Sequence, residues 1–73
     1  MPAIPKHRKL VGETIRTYRS KAKLTQETLA ERADLHPNYI GEVERGEKTI
    51  SLDALVRIAK ALNVRLRDLV AGV

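Results

Sequence analysis

The stretch LTQETLAERADLHPNYIGEVERG, residues 24–46, reads as two short amphipathic helices joined by a tight turn. Thr25 has the side chain of a helix N-cap, able to accept a bond from a free amide one turn on, and Leu24 before it can staple onto Leu29. Leu29, Ala30 and Ala33 recur at helical spacing on one face, with Gln26, Glu27, Glu31 and Arg32 on the other. Asp34, Leu35 and His36 interrupt that pattern. Pro37 then suits the first position of a second helix, where its missing amide would have had no partner. In this second helix Ile40 and Val43 point inward, and Gly46 supplies the left-handed residue that ends it. Asn38, Tyr39, Glu42 and Arg45 are left on the exposed side. A buried Leu35 in so short a turn fixes the two helices at a steep angle and presents the second as a rigid edge.

That is the geometry of a helix-turn-helix. The residues LTQ, LA and YI..VERG also resemble the phage Cro and repressor type of helix-turn-helix, the family often called xenobiotic-response-element-like. The tail ISLDALVRIAKALNV continues the likeness without a gap, so it spans about residues 10–70. Within the family, YIGEVERG followed closely by TISL is similar to the small controller proteins of restriction-modification systems. The resemblance implies an all-α, compact five-helix bundle. It also implies a sequence-specific, double-stranded-DNA-binding transcriptional regulator that acts as a homodimer on a pseudo-palindromic operator.

Composition bounds the same reading. Seventy-three residues make one domain, and a domain this small buries only about 60% of its unfolded surface, so good packing or dimerisation has to support it. Without cysteine there is no disulfide framework and no thiolate metal site, and the two histidines are far apart in sequence. No metal, no cofactor and no enzymatic chemistry are expected. No apolar run reaches the length of a membrane span or a signal peptide, which points to a cytoplasmic protein with no membrane partner.

The net charge of +5 is unevenly placed: residues 1–23 hold seven Lys and Arg against Glu13 alone, a balance of +6, and the remainder holds seven against eight, a balance of −1. A basic half suits a polyanion, although by itself it is equally a solvated surface. Beside a helix-turn-helix, the nucleic-acid reading is the stronger.

Residues 1–5 contain two prolines and no periodicity, and are expected as a mobile N-terminal arm. Lys6, Arg8 and Lys9 follow it and could reach a phosphate or the minor groove. Residues 6–73 form the DNA-binding domain, with dimerisation helices at its C-terminal end. Over residues 6–22, Leu10, Val11, Ile15, Tyr18 and Ala22 fall at spacings of three and four, giving the first helix. Lys23 stands where the family usually has glycine, so a lysine is expected in the left-handed region, at a cost of about 1 kcal/mol. Ser51 caps a fourth helix with Leu52, Leu55, Val56, Ala59 and Leu62 as its apolar stripe, and Asn63 can take the left-handed conformation at its end. Val64, Leu66, Leu69 and Val70 mark a short fifth helix, at whose cap position Arg65 is a poor residue. The length leaves no room for a ligand-sensing domain, so no small-molecule ligand is expected.

A recognition helix reads base edges with side chains near its N-terminus. These are Asn38, His36, Pro37 and Glu42. The Asn38 amide can give and take a bond with adenine, worth about 1–3 kcal/mol of discrimination; its bland alternative is a local bond at the helix start. Glu42 can accept from a cytosine amino group or simply be solvated. Pro37 can touch a thymine methyl, though helix initiation explains it. His36 can bond DNA or cap the helix. Phosphate contacts fall to Gln26, where a side-chain donor joins free helix-end amides, and to Lys48 in the following loop. The resemblance adds Tyr39 and Arg45, with partial packing as the alternative for Tyr39. It also pairs Arg19 with Glu44 as a salt bridge joining the first helix to the third, leaving Arg19 to share its guanidinium with a phosphate. Ile50, Leu52, Leu66, Leu69 and Val73 form either a homodimer face or part of the monomer's own core, and periodicity does not separate the two. The rival function is an antitoxin or another protein-interaction module built on the same helices. RNA binding is disfavoured by having only two aromatic residues, both tyrosines.

Overall fold

The computed structural model describes residues 3–73 and runs through five helices: α1 (Lys6–Lys21), α2 (Gln26–Ala33), α3 (Pro37–Glu44), α4 (Leu52–Leu62) and α5 (Leu66–Val70). Of the five residues expected as an arm, Met1 and Pro2 lie outside the described residues. Pro5 is the N-cap of α1, its carbonyl accepting from the amides of Arg8 and Lys9 at 3.1 and 3.2 Å. Ile4 lies against Gly46.

The helix starts follow local chemistry. The hydroxyl of Thr25 accepts from the Thr28 amide at 3.0 Å, and that of Ser51 from the Ala54 amide at 3.1 Å. Arg65 has no acceptor to offer α5, but the Asp68 carboxylate accepts from the Arg65 amide at 2.9 Å. This is the reciprocal half of a capping box, so the start of α5 is tied after all.

The first four helices end alike. Lys23, Asp34, Gly46 and Asn63 all have positive φ, between 56° and 75°. After each, an amide returns five residues: Leu24 to Arg19, Leu35 to Ala30, Glu47 to Glu42 and Val64 to Ala59, at 2.8 to 3.1 Å. These are Schellman ends. Gly46, Lys23 and Asn63 are expected there from the sequence; Asp34 is an addition. Ala22 falls outside the core stripe, exposed at the end of α1. Lysine has no side-chain acceptor to compensate a left-handed backbone, so Lys23→Gly is expected to stabilise the domain by about 1 kcal/mol. Thermal unfolding should then shift up by about 4–8 °C.

Each helix places one large side chain wholly in the core: Ile15, Leu29, Ile40, Ile58 and Leu69. Burying each contributes roughly 1.5–3 kcal/mol. In α4 the stripe is centred on Leu55, Ile58, Ala59 and Leu62, whereas Leu52 is 67% exposed and Val56 half-buried. At 100° per residue these two lie on the flank of the stripe that Ile58 completes. Helix α2 packs on α3 and α4, and α1 on α3 and α5. At Gly12 the backbones of α1 and α3 also approach closely. A Cβ on Gly12 would stand 2.3 Å from the Val43 carbonyl oxygen and 2.7 Å from that of Glu44, so only glycine lets α1 seat the end of α3. No helix among the described residues is long and apolar enough to cross a membrane.

Candidate nucleic-acid interface

Glu44, in the last turn of α3, is the buried charged side chain of the core, and three elements converge on it. Arg19 of α1 donates from Nε to Oε2 at 2.6 Å and from Nη2 to Oε1 at 3.1 Å. Gln26, the first residue of α2, donates from Nε2 to Oε1 at 3.0 Å. Arg19 Nη1 also donates to the Leu24 carbonyl at 2.8 Å, tying in the loop between α1 and α2. The bidentate pair has the strong planar geometry of an arginine fork. It joins α1 to α3, and Gln26 extends it to the start of α2. The Gln26 amide therefore positions the helices as well as facing outward.

The α2–α3 turn makes an open groove of about 670 Å³ lined by Arg19, Thr25, Gln26, Glu27, Pro37, Asn38, Gly41, Glu42 and Arg45. Six of the residues singled out from the sequence for DNA contact meet there. His36, Tyr39 and Lys48 do not line it. Gly41 forms part of the groove floor: a Cβ on it would lie 3.2 Å from Arg45 Nη1, which would have to give by a few tenths of an ångström, and 3.4 Å from Gln26 Oε1, an ordinary contact.

At the start of α3, His36 is the N-cap, its Nδ1 accepting from the Asn38 amide at 3.0 Å. That bond requires Nδ1 to be unprotonated and leaves Nε2 as the donor. Because His36 satisfies the helix start, the exposed Asn38 side chain makes no hydrogen bond among the described residues. Tyr39 is half-buried against the core.

Cations and carboxylates alternate beyond the groove. Arg45 donates from Nε to Glu47 Oε2 at 3.0 Å and from Nη2 to Oε1 at 3.2 Å, with the two side chains 57% and 47% exposed. This hydrogen bonding holds the Glu47 carboxyl below the usual carboxylate range, and the same bond, with charge attraction, raises the Arg45 guanidinium further. Lys48 Nζ stands 4.0 Å from Glu42 Oε2. Arg8 donates to the Thr49 hydroxyl at 3.3 Å, linking the start of α1 to the α3–α4 loop.

The helix-turn-helix family pattern matches residues 15–69, which contain the Arg19–Glu44 pair, the groove and all of α4. The chain belongs to the helix-turn-helix family. It is accordingly a DNA-binding regulator of transcription and not an enzyme. Among relatives, it is similar to control protein C.BamHI of Bacillus amyloliquefaciens, 46% identical over 63 residues covering 85% of this chain and 78% of that protein. It is also similar to control protein C.SmaI of Serratia marcescens, 44% identical over 62 residues, 85% of this chain and 74% of that one. The crystal structure of the restriction-modification controller protein C.AhdI from Aeromonas hydrophila superposes with a TM-score of 0.84 at 37% identity, covering 85% of this chain and 94% of that one.

The helix-turn-helix chain divides the five expected dimer-face residues. Leu69 is 1% exposed and fully interior, so it offers no surface and leaves that set. Ile50 and Leu66 are half-buried against the core, while Leu52 and Val73 are 67% and 68% exposed. Sequence reasoning missed Gly12, Gly41, the Gln26–Glu44 bond and the Arg45–Glu47 fork. A small residue within a helical stripe was the available signal for the glycines.

Proposed function

We propose that the chain acts as a homodimer on a pseudo-palindromic duplex site, in the manner of a restriction-modification controller protein, with α3 entering the major groove. The observation that carries the reading is the open groove, where the unpartnered Asn38 amide stands beside the start of α2 and the Arg45 guanidinium. Asn38 reads a base edge, with Glu42, Pro37 and His36 Nε2 as further candidates. Arg45, Gln26, Tyr39, Lys48 and the remaining N–H groups of Arg19 hold phosphates. Leu52 and Val73, with the exposed edges of Ile50 and Leu66, supply the apolar face between protomers. A two-fold axis there spaces the two recognition helices by about 34 Å, one turn of duplex.

Selection of bound fragments from a random duplex library at near-physiological salt tests this, with the mass of the complex measured on the winning site. Recovery of an inverted repeat holding two chains is the expected result; binding without sequence preference that vanishes as salt rises would overturn it in favour of a protein partner. On the selected site, Asn38→Ala should relax preference at one base pair by about 1–3 kcal/mol. Arg45→Ala should weaken selected and scrambled duplexes by the same factor and reduce the salt slope by about 1. Fluorescence anisotropy across a salt series reads both. Gln26→Ala is a poor substitute, because it also removes a donor from buried Glu44.

A further inference from the structure

We propose that Glu47 is an intramolecular competitor for the DNA phosphate at Arg45, so that the free protein holds this phosphate-binding guanidinium closed with its own carboxylate. The inference rests on the DNA-binding reading of the groove and adds to it a residue that sets affinity from outside the contact surface.

Arg45 is the C-cap of α3, and its guanidinium lies beside Gly41 at the groove that Asn38 and Gln26 line. Glu47 follows the left-handed Gly46, and its own amide is bonded to the Glu42 carbonyl at 2.9 Å. The chain reversal at Gly46 brings the Glu47 side chain back against Arg45, in a two-point fork at 3.0 and 3.2 Å. A phosphate presents two oxygens to the same fork, so carboxylate and phosphate compete for one set of donors.

An exposed pair contributes little to folding, which leaves the fork free to open without unfolding anything. The neighbouring cation is placed similarly, with Lys48 facing Glu42 at 4.0 Å. The end of the recognition helix is therefore close to neutral, although the chain carries +5 overall. A duplex that engages Arg45 must first displace Glu47, and the displaced carboxylate is then left beside phosphates.

The test is a double-mutant cycle on duplex affinity, using wild type, Glu47→Gln, Arg45→Ala and the double variant. It is measured by anisotropy with both the selected duplex and a scrambled one, after circular dichroism has verified that each variant is folded. Freeing an exposed ion pair should let Glu47→Gln bind both duplexes about two- to fivefold more tightly than wild type. In the Arg45→Ala background the same substitution should change affinity by less than about twofold, since no guanidinium remains to be released. Equal gains in both backgrounds would show general repulsion of DNA by Glu47 and overturn the proposal, as would no gain in either. If neither wild type nor any variant bound duplex, the DNA-binding reading of the groove would fall, and this inference with it.

Discussion

Replacing Glu44 by alanine is expected to cost about 3–5 kcal/mol of stability. The carboxylate is 3% exposed and accepts three hydrogen bonds, two from Arg19 and one from Gln26. Without it, a guanidinium only 14% exposed keeps one partner, the Leu24 carbonyl. The cost comes from that stranded charge more than from the lost bonds. A chain of this length has a total stability of roughly 4–11 kcal/mol, so the substitution removes a large share of it. The unfolding midpoint should drop by roughly 15–30 °C. Glu44→Gln keeps the shape and one acceptor and should cost about half as much. Adding Arg19→Ala to Glu44→Ala should recover part of the loss, because it removes the unpaired charge. Urea unfolding of the four proteins checks this. A loss under about 1 kcal/mol for Glu44→Ala would show that the junction of α1, α2 and α3 does not depend on the pair.

What the sequence revealed of this fold is what depends on a few adjacent residues. Thr25, Ser51, Pro37 and Gly46 mark helix ends because capping is local chemistry, and the left-handed Asn63 follows from the same logic, whereas the left-handed Lys23 came through the family resemblance, which places glycine there. Arg65 offers α5 no cap acceptor, as its side chain indicates, and what went unread is that Asp68, three residues on, accepts from its amide. The Arg19–Glu44 pair is 25 residues apart in sequence and came only through family resemblance. Gln26 as its third member required the angle between α2 and α3, which no spacing supplies. Side chains two residues apart do not face each other on a helix, so Arg45 and Glu47 gave no signal. They meet because Gly46 between them is left-handed. Leu69 and Leu52 illustrate the limit of periodicity: both are apolar at suitable spacing, yet one is the core of α5 and the other is solvent-facing.

Gly12→Ala should be comparably damaging, for a reason that lies wholly in the backbone. The added methyl would sit 2.3 and 2.7 Å from two carbonyl oxygens and 3.0 Å from a carbonyl carbon of the last turn of α3. No side-chain rotation relieves contacts of that kind, so α1 and α3 must separate by about 1 Å to restore van der Waals distance. Overpacking typically costs 1–3 kcal/mol, and more where only backbone can move; helix propensity returns about 1 kcal/mol to the alanine variant. A net loss of about 2 kcal/mol or more is expected. The displacement also reaches function, because Val43 and Glu44 belong to the helix that carries Asn38, and Arg19 must follow Glu44. At a temperature where the variant remains folded, affinity for the selected duplex should therefore fall further than affinity for a scrambled one. Gly72→Ala is the control, since nothing lies within 4 Å of its added methyl, and it should leave both stability and preference unchanged. If the two alanine variants behaved alike, α1 would not be the surface that sets the recognition helix, and the orientation of α3 would rest on its packing against α2 alone.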